Sequence, residues 1–180
     1  MSREPVFVGL GSNQDEPVAQ LSRAVRAMGQ IPTTRIQAVS SFYANPPMGP
    51  PDQPEFVNAV VWLTTDLAPL ALLDVLLAIE LDQGRVRGAQ RWGPRTLDLD
   101  LLLYGTRCMR HPRLVLPHPG LCERPFVLHP LAEIAPHAPV PGHAEVHFLA
   151  RKVCADGLQR LQPPSDRSGR NFTPAGSHPG

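Results

Sequence analysis

Two acidic residues two positions apart, Asp98 and Asp100, are the pair whose types and spacing could most directly do chemistry. They alternate with Leu97, Leu99, Leu101 and Leu103, which share the opposite parity. Period two is strand periodicity, so both carboxylates leave the same face of one strand. On a helix, residues i and i+2 would point to nearly opposite sides. Two acids side by side on a half-buried strand repel each other and lose hydration unless a cation compensates them. Oxygen-only ligands suit a hard ion, Mg2+ above all, which takes one or two carboxylates together with substrate phosphates. Just upstream stand Arg85, Arg87, Arg91 and Arg95, with no acidic residue from Arg85 to Arg95. Guanidinium forks meet phosphate oxygens bidentately, which lysine cannot do. A lone D-x-D or a lone arginine-rich loop is usually solvated surface. Joined through Trp92-Gly93-Pro94, the two halves point to metal-dependent chemistry on a polyphosphate.

The elements that must position these groups follow from periodicity. Val6 to Leu10 is a short apolar run ending in Gly-Ser-Asn, a first strand feeding a turn. Asp15-Glu16-Pro17 opens a helix with Val18, Leu21, Val25 and Met28 on one stripe and Gly29 as its stop. Ile36 to Tyr43 reads as a second strand and Ala44 to Pro54 as a proline-dense loop. Phe56 to Thr65 is a third strand, rich in β-branched and aromatic residues, with Phe56, Asn58, Val60 and Trp62 on one face. Asp66 is the expected cap of a second helix, in which Leu70, Leu73, Leu77 and Leu81 face the core and Glu80 is aimed at the sheet. The Asp98–Asp100 strand is the fourth. The order β-α-β-β-α-β predicts an α+β fold, a ferredoxin-like sandwich with two helices on one face of an antiparallel sheet. C-terminal additions follow: a hairpin around Gly105, a helix over Val127 to Ile134 and another over Ala144 to Val153.

Composition narrows the function classes. At 180 residues, 42% hydrophobic and 18% charged, the chain fits one globular domain with a real core. Residues 1–162 are read as that domain. Residues 163–180 are Pro, Ser, Gly and Arg with few apolar side chains, and are expected to form a disordered tail. Net charge is +1, so no global field draws the protein to nucleic acid or membrane. Three cysteines, no apolar leader and no apolar run of spanning length lead to the expectation of a cytoplasmic protein with reduced thiols. The histidines His111, His129, His137, His143 and His147 are read as structural, because no pair has metal-ligand spacing.

The run RWGPRTLDLDLLLYG (Arg91 to Gly105) resembles the signature of the 6-hydroxymethyl-7,8-dihydropterin pyrophosphokinases, enzymes of the folate pathway. The similarity extends to Gly9-Leu10-Gly11-Ser12-Asn13, Val39 to Tyr43, Pro46 to Pro50, Asp52-Gln53-Pro54, Phe56 to Ala59, Glu80 to Arg87, and Arg124-Pro125-Phe126. These occur in the family's order over roughly residues 5 to 150. The resemblance implies transfer of pyrophosphate from ATP to the pterin hydroxymethyl group, with AMP released and two Mg2+ ions held by Asp98 and Asp100. It implies ATP contacts from Glu80, Arg85, Arg87, Arg91, Trp92, Arg95, His118 and Arg124, with backbone of Leu101 and Val115 near adenine. It implies a pterin pocket of Asn45, Pro46, Met48, Phe56, Asn58, Trp92, Asp98 and Phe126, the ring lying between Phe56 and Phe126. Arg91 and Arg95, with the two aspartates, are the expected catalytic groups, and the protein is expected to act as a monomer. The chain departs from the family's pattern at Asn45, Phe56, Gly88 and Pro119, where relatives carry other residues.

Two other readings use the same residues. One is a different metal-dependent nucleotidyl or phosphoryl transferase built on the D-x-D strand. The other is a ferredoxin-like binding module, since that fold also serves RNA readers and regulatory domains. An RNA-reading sheet needs exposed aromatics on its central strands, whereas the fourth strand here presents acids.

Overall fold

A computed structural model describes residues 3–14, 16–46, 54–84 and 97–161. The arginine-loop residues Arg85, Arg87, Arg91, Trp92 and Arg95, the pocket residue Met48, and the expected tail all lie outside those residues.

The strands are β1 (Pro5–Ser12), β2 (Thr34–Val39), β3 (Tyr43–Asn45), β4 (Phe56–Thr65), β5 (Asp98–Tyr104), β6 (Met109–His111), β7 (Leu114–Leu116) and β8 (Gln159–Arg160). The helices are α1 (Pro17–Gly29), α2 (Pro69–Asp82), α3 (Pro125–Ile134) and α4 (Val146–Arg151). The main sheet runs β5-β1-β4-β3-β8, with β2 also paired to β4, and every pairing is antiparallel. This is the ferredoxin-like order expected from the sequence, because β2 and β3 together occupy the position of one strand.

One face of the sheet is covered by α1 and α2. There Val6, Val8, Leu10, Val61, Leu63, Leu99 and Leu101 pack with Leu21, Ala24, Met28, Leu72, Leu76 and Ile79. The C-terminal additions cover the other face, where Phe7, Val60, Leu102 and Leu103 meet Val127, Leu128, Leu131 and Leu149. At about 1.5–3 kcal/mol for each fully buried aliphatic side chain, these two layers are the main source of stability.

Several expectations change in detail. β1 continues through Ser12 rather than turning after Leu10. The expected second strand is split, because Ser40, Ser41 and Phe42 stand opposite only Ala59 and Val60. Ser40 closes that bulge by donating its N–H to the Val60 carbonyl while its hydroxyl accepts the Val60 N–H. Asp66 does not cap α2: it pairs with Arg3, and the N-cap is Ala68. The reason is Pro69, whose fixed φ suits the first helical position; α1 and α3 likewise begin with Pro17 and Pro125. The buried stripe of α2 is Leu72, Leu76 and Ile79, while Leu81 is 50% exposed. Six leucines surround this helix, so the apolar period does not select a face. The hairpin forms between β6 and β7, turning at Pro112 and Arg113; Gly105 (φ +54°) ends β5 instead. α4 is shorter than expected, starting after a bridge between Pro139 and Glu145.

Glu80 does face the sheet, four residues after Leu76, and is only 2% exposed. Its carboxylate accepts the Leu99 N–H at 2.7 Å, satisfying a donor on edge strand β5 between the two aspartates. Glu80→Ala should therefore leave that buried donor unpaired and cost about 1–3 kcal/mol. A thermal melt should fall by roughly 2–4 °C per kcal/mol lost. Glu80→Gln, which keeps an acceptor, should recover most of the loss.

On the opposite edge, β8 is fastened to β3 by side chains. The Glu133 carboxylate on α3 accepts from the Ser41 N–H and hydroxyl, the Tyr43 hydroxyl and the Arg160 guanidinium. Burial, and then the Glu133 carboxylate, hold the Tyr43 phenol well above its usual pKa, so it remains a donor.

Candidate functional site

Strand register builds the site from the sheet upward. Gly11 of β1 stands opposite Asn58 of β4 on one side and Asp98 of β5 on the other. The next rung on the same face has Gly9 opposite Val60 and Asp100. Residues directly opposite share a face. Asn58, Asp98 and Asp100 therefore point to the side covered further along by α3, away from α1 and α2. The central strand offers only glycines between them, so it adds no side chain of its own there; the Leu102 side chain lies over Gly9 and the Asn58 amide over Gly11.

Gly11 is required for this arrangement. A Cβ built there would lie 2.8 Å from Asn58 Oδ1, and that amide occupies the space. Asn58 is 6% exposed and donates through Nδ2 to Oδ1 of Asn45, the diagonal neighbour on β3. Asn45 Nδ2 in turn donates to the Pro46 carbonyl at 3.2 Å. Phe56, opposite Asn45, is half-buried on the same face at the start of β4. Gly11→Ala should push the Asn58 amide aside and leave the Asn45 Oδ1 unpaired, at a cost of about 1–3 kcal/mol. A thermal melt, beside an unchanged far-ultraviolet spectrum, checks it.

At the other side of the groove Asp98 and Asp100 are both half-buried. The strand alternation fails just beyond them, because Leu102 is an extra residue between the rungs Val8–Leu101 and Phe7–Leu103, which are adjacent on β1. This bulge puts Leu103, expected to keep parity with Leu99, in the α3 layer beside Leu102. The bulge ends the acidic face at Asp100. Two half-buried carboxylates on one face of the strand fit a hard divalent ion as a donor set.

A segment after β7 brings a second group to Asp100. The His118 N–H donates to the Leu102 carbonyl at 2.9 Å, anchoring this segment on β5. Its Nδ1 accepts the Gly120 N–H at 3.0 Å, so in the neutral ring the proton sits on Nε2. Burial pushes the His118 pKa down; the Asp100 charge opposes that shift and the Arg124 charge adds to it. The ring is thus neutral at pH 7 and a hydrogen-bond donor. Arg124 packs on Gly120, where a Cβ would come within 2.5 Å of its Nε, and its guanidinium lies 6.0 Å from the centre of the Phe126 ring. Charge interactions thus link His118 to Asp100 and Arg124, and Arg124 lies beside Phe126.

The structure brings together Asn45, Pro46, Asn58, Asp98, Asp100, His118, Arg124 and Phe126, with Phe56 at the margin. Glu80 lies beneath them at the β5 edge, where it binds backbone. Leu101 is buried in the helix-side core and Val115 is 41% exposed on β7, so only their backbones lie along the β5 and β7 margins. The glycines entered the sequence reading only within the run Gly9 to Asn13 that carries the resemblance, with no role assigned to them. Gly9 and Gly11 have the same i, i+2 spacing as the aspartates opposite them, which was the available signal. Among the described residues, no helix is long and apolar enough to cross a membrane.

Comparison with known proteins gives a consistent picture. Residues 7–136 match the model of the family described as 7,8-dihydro-6-hydroxymethylpterin-pyrophosphokinase. A Pseudomonas aeruginosa protein is 51% identical over 156 residues, covering 87% of this chain and 96% of that protein. A Haemophilus influenzae protein is 45% identical over 157 residues, covering 87% of this chain and 98% of that protein. Both are named 2-amino-4-hydroxy-6-hydroxymethyldihydropteridine pyrophosphokinase. Among solved structures, wild-type Plasmodium falciparum HPPK-DHPS with pteroate aligns with TM-score 0.66 at 14% identity, covering 84% of this chain. The chain spans 42% of that longer protein, and at this identity the likeness concerns the fold alone.

Proposed function

The chain belongs to the 7,8-dihydro-6-hydroxymethylpterin-pyrophosphokinase family, and we propose that it transfers the β,γ-diphosphate of ATP to the hydroxymethyl oxygen of 6-hydroxymethyl-7,8-dihydropterin, releasing AMP, in folate biosynthesis. The observation that carries the reading is the rung Asn58–Gly11–Asp98. It sets a residue whose amide can read a heterocycle edge on a strand two spacings, about 10 Å, from the strand that carries the carboxylates, with only a glycine of the central strand between. That is the length scale of a bicyclic ring with one short arm.

In this reading Asn58 and Asn45 orient the pterin by its donor and acceptor edges, and Phe56 and Phe126 supply its aromatic walls. Asp98 and Asp100 hold Mg2+, two ions in all, which when bound offset phosphate charge and make a ligated alcohol more acidic. His118 donates from Nε2 to an oxygen of the nucleotide, and Arg124 offers a guanidinium beside it. Arg85, Arg87, Arg91 and Arg95 grip the phosphates, Arg91 and Arg95 acting on the pair that moves, and Trp92 covers the substrates. Glu80 acts on ATP indirectly, by fixing the β5 backbone between the aspartates. The test is incubation of the chain with ATP, Mg2+ and the pterin. AMP should form only when the pterin is present, in equal amount to the pterin consumed. ADP formation, or AMP independent of the pterin, would overturn the proposal.

A further inference from the structure

The loop between α3 and α4 brings together two imidazoles and a carboxylate that the pyrophosphokinase reading does not use. His137 and Glu145 lie on the loop and His147 in the first turn of α4. His147 Nε2 is 3.3 Å and His137 Nδ1 is 3.7 Å from the same Glu145 oxygen, and the three ligand atoms all lie within 4.8 Å of one another. The two rings meet edge to face, their centres 5.1 Å apart.

We propose that His137, Glu145 and His147 form a binding site for a borderline divalent transition ion, Zn2+ foremost. Ligand atoms bonded at about 2.0–2.1 Å to one tetrahedral ion lie roughly 3.3–3.4 Å apart, close to the two shorter separations here. The longest separation closes by movement of His137, whose side chain is 80% exposed and free to turn. Two imidazoles with one carboxylate select Zn2+, Ni2+ or Cu2+ over Mg2+, which prefers oxygen alone. The site therefore discriminates against the ion assigned to Asp98 and Asp100.

The backbone holds the ligands in position before any ion arrives. Pro139 and Glu145 form a bridge, the Val146 N–H donates to the Ala138 carbonyl at 3.0 Å, and the His147 N–H donates to the Pro136 carbonyl at 2.9 Å. The loop is thus folded back on itself, which brings residues ten positions apart in sequence into contact. No sequence spacing announces such a pair. The site is also remote from the groove. His137 lines a cavity with Pro5 and Gly105, at the end of β1 opposite Gly11 and Asp98. Six residues of strand separate the two ends, about 20 Å. A bound ion would pin the loop to the start of α4 and leave one position open to water.

The test uses the full chain, stripped with a chelator and kept in saturating Mg2+ with a thiol-free reductant. Titration with ZnCl2 should give one Zn2+ per chain and a melting temperature that rises with Zn2+. His137→Ala, at an exposed position, should keep pyrophosphokinase activity yet weaken Zn2+ binding by at least about the tenfold to hundredfold that even an outer-shell partner is worth. Glu145→Gln, which keeps the shape of the side chain, should do the same. Replacing the exposed thiols, Cys108→Ser with Cys154→Ser, should leave binding unchanged. Absence of Zn2+ binding in the wild type, or equal binding by His137→Ala, would overturn the proposal, as would loss of binding in the cysteine variant.

Discussion

Asp98→Ala and Asp100→Ala are each expected to lower kcat roughly 10²–10³-fold or more with the fold retained. That range is what removal of one preorganised electrostatic group at a reacting centre typically costs. The two carboxylates share a face of β5 and belong to neither hydrophobic layer, so the sheet does not depend on their packing. Strand β5 is held instead by its ladder to Gly9 and Gly11 and by Glu80 at its outer edge. Steady-state kinetics beside a thermal melt separates the two effects. A melting temperature near wild type with lost turnover is the expected pair. Near-wild-type turnover in either variant would remove that aspartate from the reaction.

Asn58→Leu should have the second largest effect, through recognition rather than chemistry. Leucine keeps the volume but offers the heterocycle neither donor nor acceptor, and it strands the Asn45 Oδ1 that Asn58 now satisfies. At about 1–3 kcal/mol for each group left unpaired, pterin affinity should fall by roughly a hundredfold or more. ATP binding should change little, because Asn58 belongs to β4, two strands from the aspartates on β5. Calorimetry with each ligand in turn makes the comparison. Equal losses for both ligands would mean that Asn58 supports the sheet instead of reading the pterin.

How much of this was legible depended on whether the local pattern carried one period or several. The alternation Leu97-Asp98-Leu99-Asp100 has one reading, and the structure has it. The ten residues of β4 are β-branched or aromatic enough that both strand ends were legible. Just after Asp100 come Leu101, Leu102 and Leu103, three identical side chains that hide a bulge completely. The same uniformity concealed the buried face of α2, whose stripe lies on Leu72, Leu76 and Ile79. The break at Ser40 was invisible because it depends on a hydroxyl taking over a rung of the ladder from the main chain. Within the site, the acids carried signals of type and parity, whereas Asn58 and Phe56, though on one face of β4, gained a role only by resemblance. Gly9 and Gly11 carried theirs only once their partners across the sheet were known. His118 and Arg124 could be assigned only by resemblance, since their approach to Asp100 depends on a segment returning from β7.

In the proposed reaction the phosphate chain breaks between the α and β phosphorus atoms. A clamp on the terminal phosphate would release ADP. The reading advanced for the Asp98–Asp100 strand has the pterin hydroxyl attack the β-phosphorus instead, so that two phosphates move together. The direct measurement is a turnover with pterin carrying ¹⁸O in its hydroxymethyl group, followed by mass spectrometry of both products. Unlabelled AMP is expected, with a pterin diphosphate whose ester bridge retains the label. Accumulation of ADP, or ¹⁸O found in AMP, would contradict it.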